Sequence, residues 1–349
     1  MLGRIKGRLG LFFARWQQHF PLIKFFSYVP VHYKRLTAFE PDIIYAHDLS
    51  ALPVSAMAAK KTGARLVFDS HELEVHRNPP LGALQKAQVK WLEKKYLRKC
   101  DVVTTVCTSA ENVLRHEYKL KNTALIYNAP GLKGGKSHPR WERHKGASFR
   151  GDAGLERDDF ALVYVGLIAR NRGIEFILRT IERLPEKIKL VTVGPGLPVM
   201  KSRLRAYADR LGLGERFIML EPVNPPDVYK YIRGADAAII PVMPATLSYE
   251  IALPNKFFEA AFAGLPIISA DLVEMKKLIE EYDLGVYYDA LDEEDCSAKI
   301  LYAYKNRFSI KPSKENIQAF RQRFSWESQE ALILSILNQQ LAMKDQENE

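Results

Sequence analysis

Asn255, Lys256 and Glu259 are the residues of this chain whose types and spacing best suit chemistry. They sit in the run Pro254-Asn255-Lys256-Phe257-Phe258-Glu259-Ala260-Ala261-Phe262-Ala263-Gly264-Leu265-Pro266-Ile267-Ile268. That run reads as a short helix with a polar start, a stop at Gly264 and Pro266, and then a buried strand. Residues three and four apart share a helix face, so the three polar side chains stand together. The unpaired N–H groups of a helix start favour anions, and Lys256 adds a cation to them. Glu259 adds an acceptor able to hold vicinal hydroxyls. The implied ligand carries both phosphate and a diol, as a nucleotide sugar does.

Other candidates lie where apolar runs end. Tyr164-Val165-Gly166-Leu167-Ile168-Ala169-Arg170-Asn171-Arg172-Gly173 follows one such run, and Gly166 lets backbone approach a phosphate. Val193-Gly194-Pro195-Gly196 ends another and marks a tight turn. Val67-Phe68-Asp69-Ser70-His71-Glu72 and Tyr45-Ala46-His47-Asp48 end two more. No D-x-D run occurs. The acidic stretch Asp292–Asp295 stands at an expected helix start, where acids are favourable without a metal. The cysteines Cys100, Cys107 and Cys296 lack metal-ligand spacing and imply a reducing compartment rather than a disulfide framework. The expectation is a chain with no metal and no cofactor.

The elements that must hold these residues alternate. Apolar runs at 42–46, 65–68, 101–106 and 124–127 read as strands, with helical stretches at 82–99 and 109–117. A second series follows at 160–165, 188–193, 216–220, 237–242, 265–269 and 285–287. Strand-helix alternation implies parallel sheets with right-handed crossovers. The 349 residues suffice for two such domains. The expected division is 1–130, a Gly/Lys/Arg-rich linker at 131–151, a second domain at 152–325, and a closing helix at 326–343 that returns to the first.

Charge is uneven. Residues 1–130 hold 20 Lys/Arg against 10 Asp/Glu, and the remaining residues hold 31 of each, so the whole net charge of +10 lies in the first part. Leu2, Ile5, Leu9, Phe12, Trp16 and Phe20 recur at helical steps among Arg4, Lys6, Arg8 and Arg15. The stripe reads either as an interfacial membrane helix or as a helix packed on its own domain. No nucleic-acid module is visible. No run reaches the roughly 20 apolar residues of a membrane span. The expected location is the cytoplasm, on the inner membrane face, with contact through residues 1–39.

The helical part of the run 254–268 resembles the donor-binding helix of the retaining GT-B glycosyltransferases of family four. The resemblance covers roughly residues 40–340. It implies two doubly wound, Rossmann-like domains facing a cleft and transfer of a sugar from a nucleotide-diphosphate donor. The implied acceptor is a glycan on a lipid carrier, in surface-polysaccharide assembly. Glu259 matches the family's ribose-binding glutamate. The family's earlier glutamate falls at Ile251, with Glu250 one residue before it. His71 matches a histidine that orients the donor sugar, with Glu72 and Asp69 candidates to hold its tautomer. Arg172 replaces a phosphate-binding lysine, Leu167 stands where an arginine is usual, and Arg170 is its candidate substitute. Gly194 matches a turn beside the nucleotide. His47, Asp48 and Glu72 are acceptor-side candidates, Asp48 equally a helix cap. The family also has about three strands before 42–46 that this chain lacks. The strand at Asp42–Ala46 is then an open edge, which a partner chain or a second copy would cover. A non-catalytic or partner-dependent glycosyltransferase subunit and a GT-B nucleotide-sugar epimerase are the alternative readings.

Overall fold

The structure, a computed structural model, describes residues 21–133 and 148–348. The basic stripe at 2–20 and most of the expected linker lie outside the described residues. The chain divides into two compact units. One holds the chain up to Tyr127 with Thr246–Ser248 and Glu330–Glu349. The other holds Asn128–Ala245 and Tyr249–Gln329.

The first unit is built on four parallel strands: β1 (Ile43–His47), β2 (Arg65–Ser70), β3 (Val102–Thr105) and β4 (Thr123–Leu125). They stand within two residues of the apolar runs in the sequence, in the order β1-β2-β3-β4. β3 is buried throughout and β2 in all but its first residue. Such runs belong to strands covered on both faces. The helix Asp48–Thr62 packs on β1 and β2, and the helices Pro21–Ser27 and Val29–Ala38 pack on it. Among the described residues no strand precedes β1, which is an edge strand. The register pairs His47 of β1 with Asp69 of β2. At the opposite ends of these strands, Lys344 reaches Asp42 at 2.8 Å and Glu347 reaches Arg65 at 2.7 Å. Those contacts lay the last turns of the helix Trp326–Asn348 beside the sheet. Exposed pairs of this kind add little stability.

The second unit carries six parallel strands: β5 (Phe160–Val165), β6 (Ile188–Val193), β7 (Phe217–Leu220), β8 (Ala237–Ile240), β9 (Ile267–Ala270) and β10 (Gly285–Tyr288). Their order is β10-β9-β8-β5-β6-β7. The chain steps outward from β5 through β6 to β7, then returns to β8 on the other side of β5. That reversal is a topological switch point, and the crevice at its carboxyl end is where open α/β sheets bind ligands. Asp292 caps the helix Glu293–Lys305 by accepting from the N–H groups of Glu294 and Asp295. Among the described residues no helix is long and apolar enough to cross a membrane.

Candidate functional site

The helix Asn255–Ala263 is held by what it buries. Phe257, Phe258, Ala260, Ala261 and Phe262 are all buried. Phe258 packs on Phe324 with ring centroids 5.6 Å apart, and Phe324 packs on Phe320 at 4.6 Å. Each such ring contributes on the order of 2 kcal/mol by burial. The helix stops at Gly264, whose φ of 72° and bonds to the Ala260 and Ala261 carbonyls form a left-handed cap. It starts after Pro254 without a side-chain cap and without an acid in its first turn. Its N-terminal dipole is therefore open to an anionic ligand.

Two loops at the switch point meet this helix start. The Gly166 N–H donates to the Val193 carbonyl at 3.0 Å, and the Ile168 N–H to the Pro195 carbonyl at 2.7 Å. The turns leaving β5 and β6 are thus stitched together. A Cβ at Gly194 would fall 2.0 Å from the Gly166 carbonyl oxygen, so only glycine fits there.

The result is a cavity of about 360 Å³ lined by Gly166, Leu167, Arg172, Gly194, Asn255, Lys256 and Glu259. Pro222, Val223, Pro225 and Val228 supply an apolar wall. A second cavity of about 440 Å³ shares Pro225, Asn255 and Glu259 with the first, and adds Lys133, Trp326 and Glu327. The Lys256 ammonium lies 3.9 Å from the centroid of the Tyr164 ring. Burial, then the positive charge of Arg172, pushes the Lys256 pKa down to about 7, against the pull of Glu259. Burial pushes Glu259 up to about 7, partly offset by Lys256. Cations, a bare helix start and a carboxylate in one crevice suit a diphosphate bearing a ribose.

Not every expected residue joins this cavity. Arg170 and Glu250 are exposed and line neither cavity. Leu167, where the family's arginine would stand, does line the cavity. Ile251 is buried, as an apolar residue at that position must be.

His71, His47, Asp48 and Glu72 belong to the first unit. The Asp69 carboxylate joins the two histidines. Its Oδ2 lies 3.2 Å from His47 Nδ1 and 3.1 Å from His71 Nε2. Its Oδ1 accepts from Thr104 Oγ1 at 2.7 Å. Burial raises the Asp69 pKa, but the bonds from His71 and Thr104 outweigh it and hold the carboxyl below its ordinary value. The bond to Asp69 raises His71, and the charges of Asp48 and Glu72 add to the effect. Asp48 is exposed at φ 62°, and its helix begins without a side-chain cap bond. Thr104 lies on β3, 35 residues from Asp69, so its part was invisible to local spacing. So was the second cavity, which draws on chain segments nearly 200 residues apart.

Comparison with known proteins agrees with this geometry. Residues 8–129 match the family model for Glycosyltransferase Family 4, and residues 159–306 match that for Glycosyl transferases group 1. A D-inositol 3-phosphate glycosyltransferase of Mycobacterium sp. (strain KMS) is 24% identical over 277 residues, 74% of this chain and 58% of that protein. An uncharacterized glycosyltransferase of Methanocaldococcus jannaschii is 25% identical over 255 residues, 70% of this chain and 62% of that protein. The chain thus spans less than two thirds of the length of these relatives. Among solved structures, Anabaena HepE in complex with UDP superposes with a TM-score of 0.71 at 19% identity, covering 89% of this chain and 82% of that one. Sucrose-phosphate synthase from Thermosynechococcus elongatus superposes with a TM-score of 0.74 at 18% identity, covering 92% and 80%. With its two parallel α/β units, its switch-point cavity and these matches, the chain belongs to the family-four glycosyltransferases of GT-B fold.

Proposed function

We propose that this chain transfers a sugar from a nucleotide-diphosphate donor to a hydroxyl acceptor, with retention at the anomeric carbon. The carrying observation is the single cavity that gathers Gly166, Arg172, Lys256, the bare start of the helix Asn255–Ala263, and Glu259. Arg172, Lys256 and the helix start stabilise the departing diphosphate, where negative charge develops. Glu259 accepts from the ribose hydroxyls, and the apolar wall from Pro222 to Val228 takes the base. His71 orients the donor sugar, its imidazole fixed by Asp69. No metal is needed for the diphosphate in this scheme, because two cationic side chains and a helix dipole already face it.

UDP is the favoured nucleotide, because HepE is described in complex with UDP and with UDP-glucose. For the acceptor we favour a lipid-linked glycan at the cytoplasmic membrane face, in surface-polysaccharide assembly. The support is the net charge of +10 confined to residues 1–130. Anionic lipid attracts such a segment at about 1 kcal/mol per basic residue near the surface. The mycobacterial relative's name points instead to a phosphorylated polyol, which the same basic segment would attract. One observation favours a second reading: among the described residues β1 is an edge strand, so a partner chain or a second copy that covers it would make activity partner-dependent.

Calorimetric titration of the full chain with UDP, GDP and UDP-glucose tests the donor reading. Base-selective binding is expected. Failure of all three to bind would overturn it.

A further inference from the structure

The helix Ala83–Tyr96 lies between β2 and β3 in the first unit. Val89, Leu92, Glu93 and Tyr96 make its buried face, and the helix packs on Asp48–Thr62 and Pro21–Ser27. Its outer face carries both apolar surface and charge. Trp91 is 48% exposed, and Leu84, two turns earlier on the same side, is 61% exposed. Exposed Lys90, Lys94 and Lys95 flank the indole. The Lys95 ammonium lies 4.4 Å from the centre of the Trp91 ring. Exposed Lys86, Arg98 and Lys99 extend the basic surface at either end.

One sign of charge is missing. Glu93 is the only acid from 83 to 99, and it is buried. Burial raises its pKa to about 8, so near neutral pH it sets little negative charge against these cations. The surface continues past Lys90, whose ammonium lies 3.6 Å from Glu117. Glu117 in turn lines an open groove of about 900 Å³ with His76, Arg115, His116 and Lys119. A face that serves solubility alone mixes both signs. An exposed indole set among lysines suits a bilayer interface instead. The ring settles at headgroup level, and the lysines bury their stems while their ammonium groups meet lipid phosphate.

We propose that the outer face of the helix Ala83–Tyr96, centred on Trp91, docks this chain on an anionic lipid surface. The inference deepens the membrane-face reading of the acceptor by naming the surface that docks. It assigns the docking to this helix rather than to residues 1–39, the segment expected from the sequence.

The experiment is cosedimentation of the full chain with sucrose-loaded phosphatidylcholine vesicles, with and without an equal share of phosphatidylglycerol. The chain should pellet with the anionic vesicles and stay in solution with the neutral ones. Lys86→Gln, Lys94→Gln and Lys95→Gln combined should weaken binding on the order of 100-fold, about fivefold for each charge removed. Brominated phosphatidylglycerol should quench tryptophan fluorescence in the wild type and much less in Trp91→Phe, although Trp16, Trp141 and Trp326 remain. All four substituted positions are exposed, so circular dichroism and UDP affinity should match the wild type. Failure to pellet with anionic vesicles, as for a face that meets a soluble acidic partner, would overturn the proposal. So would full binding by the triple variant or undiminished quenching in Trp91→Phe, either of which places the contact elsewhere on the chain. Transfer to a water-soluble acceptor by a chain that docks through this helix would sink the lipid-linked acceptor alone, so the two readings fail separately.

Discussion

The Lys256 ammonium stands 3.9 Å from the centre of the Tyr164 ring, while its backbone opens the helix that carries Glu259. The ring offers a cation partial compensation that does not compete with an anion for hydrogen bonds. A phosphate arriving in the cavity therefore meets a lysine that no carboxylate among the described residues neutralises by direct contact. Replacing Lys256 by Ala removes a charge-assisted contact of about 1.5–3 kcal/mol. UDP affinity should fall roughly 10- to 100-fold. Glu259→Ala should cost about tenfold through the lost ribose contacts. Neither side chain is part of the buried Phe cluster, so thermal denaturation midpoints should stay close to wild type. Calorimetry with UDP on both variants decides it, and unchanged affinity in both would sink the assignment.

The depressed lysine makes nucleotide binding pH-dependent. In the empty site Lys256 titrates at about 7. A bound diphosphate raises that value, so binding favours the protonated lysine. Affinity is then full below pH 7 and falls as pH rises, by up to about tenfold per unit, until the bound-state pKa is passed. Glu259, raised to about 7 as well, titrates in the same window. The clean measurement is therefore made in Glu259→Gln. Its UDP affinity from pH 6 to 9 should decline, with proton uptake seen as buffer-dependent binding heat above pH 7. A flat profile would count against Lys256 as the phosphate ligand.

Gly194 packs closely against Gly166 where the two switch-point turns are joined. Gly194→Ala places a methyl 2.0 Å from the Gly166 carbonyl oxygen, and backbone has to move. We expect a loss of stability on the order of 2–4 kcal/mol, with donor binding lost alongside it. Urea denaturation and UDP titration of this one variant measure both. Retained binding would show that the turn relaxes without disturbing the phosphate cradle.

Much of this was legible in the sequence, and the limits have a physical shape. All ten strands among the described residues were marked by apolar runs, because parallel strands covered on both faces are filled mainly by apolar side chains. The cavity at the switch point was legible at Gly166, Gly194, Lys256 and Glu259, whose places depend on strand ends and a helix start, both local features. Arg170 was a candidate substitute for the arginine missing at Leu167, in the same loop. Which side of a loop a residue faces depends on the turn, and Arg170 faces solvent. Glu250 likewise lies outside the cavity: it ends the short helix Leu247–Glu250, exposed, while its neighbour Ile251 is buried. The His47–Asp69–Thr104 set joins three strands through register, which no spacing along the chain encodes.

A buried carboxyl in the first unit gives a prediction about stability. Glu93 is buried, and Tyr118 donates its hydroxyl to Glu93 Oε2. Burial raises Glu93 from 4.5 to about 8, with the tyrosine bond opposing that rise. A carboxyl raised on folding holds a proton in the native state that the unfolded chain has released. Its stabilising contribution is full below about pH 4.5, declines as pH rises, and levels off above about 8. Glu93→Gln keeps the acceptor for Tyr118 and removes the titration. The variant should match wild type at low pH and exceed it at pH 9, by a few kcal/mol at most. Urea midpoints at pH 6 and pH 9 test this, and an identical pH slope in both proteins would refute it.

The strand order of the second unit has a consequence during synthesis. β5 is buried along its whole length, flanked by β6 on one side and β8 on the other. A ribosome delivers β6 soon after β5, but β8 begins only at Ala237, roughly seventy residues later. At about 5–20 residues per second, the β8 side of β5 stays unpaired for on the order of ten seconds. During that interval the nascent chain displays an apolar, hydrogen-bond-hungry ribbon, the type of surface on which neighbouring chains aggregate. The reversal that creates the ligand crevice therefore also sets the period in which this protein most needs a chaperone.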